Sequence, residues 1–125
     1  MKFIATYVEP YTNSTTANVM FADPETDPDQ PSVLSFSRPI EKGFEDSNYY
    51  FEINDQSYGS YGGLEFVRLS RNSIEVRLEQ RIVEKFKEED FQEVMVEFNV
   101  NDEVFESVRA TLRRIFETFD VFQEL

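Results

Sequence analysis

The stretch Asp55-Gln56-Ser57-Tyr58-Gly59-Ser60-Tyr61-Gly62-Gly63 runs directly into Leu64-Glu65-Phe66-Val67-Arg68-Leu69-Ser70-Arg71-Asn72-Ser73-Ile74-Glu75-Val76-Arg77-Leu78, and its second half decides the fold. Ile74, Val76 and Leu78 alternate with Glu75, Arg77 and Glu79, the period of a strand with one apolar and one wet face. Leu64 to Ser70 supplies a matching strand, and Arg71-Asn72 the turn that makes the two a hairpin. The nine residues ahead of the hairpin hold three of the four glycines. Two readings stand side by side there. Tyr, Ser and Gly are what protein-binding loops favour, because Tyr offers a large amphipathic surface at little rotamer cost. A sharp turn also demands Gly, which reaches positive φ without a Cβ penalty.

Outward from the hairpin the same period recurs. Residues 2 to 9, Ala17 to Phe21, Val33 to Ser37 and Val94 to Val100 read as strands, as does the segment in which Tyr49, Phe51 and Ile53 alternate with Tyr50, Glu52 and Asn54. Asp23 to Pro31 packs four acids and three prolines into nine residues and reads as an extended solvated loop. Arg81 to Asp90 reads as a short helical connection. From Asp102 the period lengthens to that of a helix, with Val104, Phe105, Val108, Leu112, Ile115, Phe116 and Phe119 on one stripe. Asn101 or Asp102 can cap it, and Asp102 and Glu103 suit its positive end. The expectation is an α+β domain spanning residues 1–125, a mainly antiparallel sheet of about six to seven strands with the C-terminal amphipathic helix on one face.

Composition narrows the function. With 125 residues, 40% hydrophobic and thirteen Phe, the chain can bury a core of its own. It has no Cys and no His, so disulfides, thiolate nucleophiles, the usual zinc sites and Ser-His-Asp machinery are ruled out. No side chain titrates unperturbed near neutral pH, so an enzyme would need perturbed carboxylates, Lys, Tyr or a cofactor. The reading is therefore a non-enzyme without catalytic residues, metal or cofactor. Twenty-five acids against twelve bases give −13, a field that repels nucleic acid and anionic membranes and draws cationic partners. That charge is spread evenly along the chain, net −7 over residues 1–62 and −6 over 63–125. The start, Met1 to Pro10, lacks the apolar run of a signal peptide, and a cytoplasmic location is expected.

The string Asp55-Gln56-Ser57 through Tyr61-Gly62-Gly63, the hairpin Leu64 to Leu78, and the closing strand and helix ending Leu112-Arg113-Arg114-Ile115-Phe116 together resemble the Immunity protein 10 family of bacterial polymorphic toxin systems. Ser32 to Ser37 and Asn48 to Asn54 also fit the family's order of elements. The likeness covers about residues 33 to 120 and is weakest over residues 1 to 31. It implies an α+β protein that binds a cognate protein toxin in the producing cell and blocks it. It carries no catalytic motif and no map of binding residues. Should that toxin act on nucleic acid it would be basic, a suitable partner for an acidic inhibitor.

Candidate contacts follow from residue type. Tyr49, Tyr50, Tyr58 and Tyr61 suit aromatic anchors, or else pack on the sheet while Gly59, Gly62 and Gly63 shape a turn or bulge. Asp23, Glu25, Asp27 and Asp29 suit pairing with Lys and Arg of a partner, or form a plain solvated loop. They do not suit calcium, since an EF-hand counted from Asp23 needs Gly where Pro28 stands and Glu where Leu34 stands. Glu88, Glu89 and Asp90 form a second acidic knot with the same two readings. Carboxylate pairs such as Glu75 with Glu79 or Glu65 with Glu97 lie along strands as ordinary solvent-facing residues. Arg109, Arg113 and Arg114 resemble an anion patch, yet Glu106 and Glu117 lie at helical spacing to pair with Arg109 and Arg113. The competing function is a structural or adaptor domain that forms homo-oligomers through a sheet edge or the Tyr-rich segment.

Overall fold

The computed structural model describes residues 1–125 and folds them into ten strands in two sheets, with two helices. Sheet B is an antiparallel meander of β2 (Tyr7–Thr12), β3 (Thr16–Asp23), β4 (Ser32–Pro39), β5 (Tyr50–Ile53) and β6 (Asp55–Tyr61). Sheet A has the order β1 (Lys2–Ile4), β9 (Glu93–Glu97), β8 (Ser73–Leu78), β7 (Leu64–Ser70), β10 (Phe122–Glu124). Only the short edge pairs, β1 with β9 and β10 with β7, are parallel. Helix α1 (Gln80–Lys85) links β8 to β9, and α2 (Asp102–Ile115) follows β9. The chain is thus α+β, mainly antiparallel, with a C-terminal amphipathic helix on one sheet face.

Three strands lie beyond the period-two reading, each for a physical reason. The segment at residues 2 to 9 is two strands in different sheets: the Ala5 amide donates to the Glu97 carbonyl of sheet A at 2.8 Å, the Thr6 amide to the Ala22 carbonyl of sheet B at 2.9 Å. The Tyr/Gly/Ser tract is itself a strand, β6, and only Gly62 and Gly63, at φ +71° and +96°, make the turn that carries the chain from sheet B into sheet A. Finally β10 pairs with β7, a partner more than fifty residues earlier that no local pattern reveals.

The apolar faces of both sheets and one face of each helix share a single core. Phe21, Phe36 and Phe51 of sheet B are fully buried, each worth about 2–3 kcal/mol relative to exposure. Ring pairs join the layers: Phe21 with Phe98 at 5.3 Å, Phe36 with Phe116 at 5.6 Å and Phe51 with Phe86 at 6.5 Å between centroids. Helix α2 lays Val108, Leu112 and Ile115 on the inner face of sheet B, across β2, β3 and β4. Its first turn is capped by the Asn101 side chain, which accepts from the Val104 amide at 2.9 Å. At its far end Arg38, 5% exposed, reaches from β4 and donates to the Ile115 carbonyl at 3.2 Å, the Thr118 hydroxyl at 2.9 Å and the Glu45 carbonyl at 3.1 Å. A cation there satisfies orphan carbonyls and meets the negative end of the helix dipole.

Candidate functional site

Burying one face of sheet B leaves the other free, and the strand register fixes which residues lie on it. One row across all five strands reads Tyr11, Asn18, Ser37, Tyr50, Tyr61; the next reads Glu9, Met20, Ser35, Glu52, Gly59. A third row starts Tyr7, Ala22, Val33. Five strands at about 4.8 Å spacing make this face about 19 Å wide. Tyrosines stand at its margins, Tyr7 45%, Tyr11 53% and Tyr61 70% exposed, around a floor of Ser, Asn and Met. No Lys or Arg occurs in these rows. Rigid amphipathic rings around short polar side chains are a composition that protein-binding loops favour.

The tyrosines are held in place. Tyr50 and Tyr61 lie ring against ring at 4.9 Å between centroids, and the Tyr50 hydroxyl donates to Glu52 Oε1 at 2.8 Å. Tyr50 lies across Gly59, where a Cβ would collide with its ring and hydroxyl, so this glycine makes room for an aromatic neighbour. Partial burial, the hydrogen bond to Glu52 and the nearby charge push the Tyr50 phenol up to about 12. Tyr7 donates to Glu9 on the opposite margin, and that bond raises its phenol too.

The residues singled out from sequence separate into four groups. Tyr50 and Tyr61 are on the outer face of sheet B. Tyr49 points the other way and is 3% exposed, its ring against Phe116 and Phe119 at 5.0 Å each and its hydroxyl accepting from the Leu64 amide at 2.9 Å. It is a core residue and presents no surface to a partner. Tyr58 also faces inward, half-buried edge-on against Phe86 and Phe91; burial first, then the charges of Glu89, Glu88 and Asp55, raise its phenol. Asp23 ends β3, and Glu25, Asp27 and Asp29 lie exposed in the β3–β4 connection, at the same end of sheet B as the β5–β6 turn. Asp23 closes its own turn: Thr26 donates a side-chain bond at 2.6 Å and a backbone bond at 3.2 Å, and the first of these chiefly lowers the Asp23 carboxyl. Glu88, Glu89 and Asp90 follow α1 as an exposed loop beside Tyr58.

Tyr7 and Tyr11 belong to this face although composition alone did not mark them. Their spacing, four apart on a strand with Glu9 between, carried the signal, because residues at even separation share a face. The arginines of α2 are spoken for. Arg109 and Arg113 bond Glu124 of β10 at 2.7 and 2.9 Å. Glu117 pairs with Arg114 in place of the expected Arg113. Burial alone would raise the Glu124 carboxyl, but the bonds from Arg113 and Arg109 outweigh it and the net shift is downward.

Ion pairing divides the molecule. Eight pairs form, and every acid in them lies between Glu79 and Glu124. None of the ten acids of residues 1–62 has a cationic partner. Eight of the fifteen acids of residues 63–125 are unpaired as well, so what sets the sheet B half apart is that none of its charges enters an ion pair.

A family model described as Immunity protein 10 matches residues 4–106. The match takes in the first two strands of sheet B, where the resemblance read from sequence was weakest, and ends within α2. No curated protein and no solved structure matches the chain.

Proposed function

The chain belongs to the Immunity protein 10 family, and from that premise we propose that it binds a cognate protein toxin stoichiometrically and blocks it in the cytoplasm of the bacterium that makes both. The family match over residues 4–106 carries this reading. Its support in the molecule is a broad, pre-formed face of Tyr, Ser, Asn and Met with no base in its rows, a surface built for recognition rather than chemistry. Inhibition proceeds by occlusion: the protein covers the toxin's active centre or the surface that receives its substrate, and turns nothing over.

Co-expression with the toxin encoded by the adjacent gene tests this. Cells making both should grow, and the purified pair should titrate at one to one. Growth arrest that persists while this chain accumulates in soluble form would overturn the proposal. A stable homo-oligomer by light scattering, with no affinity for the toxin, would favour the adaptor reading.

A further inference from the structure

We propose that the outer face of sheet B is the toxin-docking surface and that it takes a cationic, Lys- and Arg-bearing patch of the toxin. This rests on the toxin-binding reading above and adds the face and the chemistry of its occupant. Three observations carry it. First, the outer rows hold Tyr7, Tyr11, Tyr50 and Tyr61 around small polar side chains, and Tyr is enriched among interface hot spots. Second, the charge on this half is uncompensated. The segment Tyr7–Tyr61 carries ten acids and only two bases, and one of the two, Arg38, is buried beneath the sheet, bonded to the end of α2. Third, the outer face of sheet A is already neutralised: Arg77 bonds Glu93, Lys2 bonds Glu97 at 3.1 Å, and Arg68 and Arg77 both lie over the Phe66 ring.

Charge complementarity selects among occupants. A second copy of this chain would set acid against acid on the same face, and nucleic acid would be repelled. A cationic protein surface pairs with Glu9 and Glu52 while its apolar stems rest on the tyrosine rings, where Lys and Arg also gain from the π faces. Arg81 and Lys85 of α1 border the face beside Tyr61; Arg81 is held by Glu79 at 3.0 Å. They mark the edge at which the cationic patch must end.

The chain carries its own reporters. Met20 lies on the outer face of sheet B and Met95 on that of sheet A, both half-buried. Hydroxyl-radical footprinting of the wild-type complex, with the adjacent gene's toxin inactivated at its own centre as the probe, should protect Met20, Tyr11 and Tyr61 from oxidation and leave Met95 as in the free chain. Glu9→Lys and Glu52→Lys should each weaken the complex by about tenfold or more, and Glu75→Lys on the opposite sheet by less than about threefold. Protection of Met95 in place of Met20, or undiminished affinity in both sheet B variants, overturns the docking face while toxin binding stands. Failure of the wild-type chain to bind the toxin at all overturns the toxin-binding reading, and this face with it.

Discussion

Tyr49 and Tyr50 are neighbours in sequence and opposites in role, because successive side chains of a strand point to opposite faces. The alternation of Tyr49, Phe51 and Ile53 contained the answer: a residue in step with two apolar neighbours belongs inside, whatever its suitability as an anchor. The Tyr49 hydroxyl satisfies the buried Leu64 amide, so Tyr49→Phe should cost about 1–3 kcal/mol, the penalty for leaving that donor unpaired. Urea unfolding would show it; Tyr61→Ala, on an exposed ring, should lose far less stability while weakening toxin binding. Tyr50 makes a pH prediction. Its folded value of about 12 lies above its ordinary 10.0, so the unfolded chain releases this proton first as pH rises. The contribution is fully present below pH 10 and is lost as pH climbs toward 12. Tyr50→Phe should therefore flatten the decline of the urea midpoint across that window, and parallel pH profiles for the two proteins would contradict the assignment.

At the scale of elements, α2 and the β7–β8 hairpin were legible because each is specified by its own residues. A helix stripe and a two-residue alternation are local periods, and Asn101 is a local cap. β6 was hidden because Gly and Ser mask strand propensity; its strand state is imposed by pairing with β5 and by Tyr50 covering Gly59. β10 and the division between β1 and β2 depend on partners far along the chain. The far end of α2 depends on a distant residue too. Arg38, some eighty positions away, holds the Ile115 carbonyl and the Thr118 hydroxyl. Arg38→Met should cost about 3 kcal/mol, since it strips charge-assisted bonds from buried acceptors. Asn101→Ala at the other end should cost about 1 kcal/mol. Thermal and urea unfolding would rank the two, and equal losses would remove the special role given to Arg38.

Across the whole molecule the charge is organised by the division into sheets. Residues 63–125 tie acids to bases in seven of the eight ion pairs, while the acids of residues 1–62 stay unpaired. If that half meets a cationic toxin, the association rate should fall about tenfold or more as salt rises from low to several hundred millimolar, with the dissociation rate changing much less. Stopped-flow mixing reads both, and a flat association rate would exclude steering. By itself the sequence determined the α+β class, the central hairpin, the capped helix and the family resemblance, because periodicity, capping and turn residues act between near neighbours. Only the tertiary structure decided that the strands divide into two sheets, that Tyr49 and Tyr58 turn inward while Tyr7, Tyr11, Tyr50 and Tyr61 share one outer face, and that the sheet B half forms no ion pair. Those outcomes depend on strand register and long-range pairing, which join residues far apart in the chain and leave no local period to read.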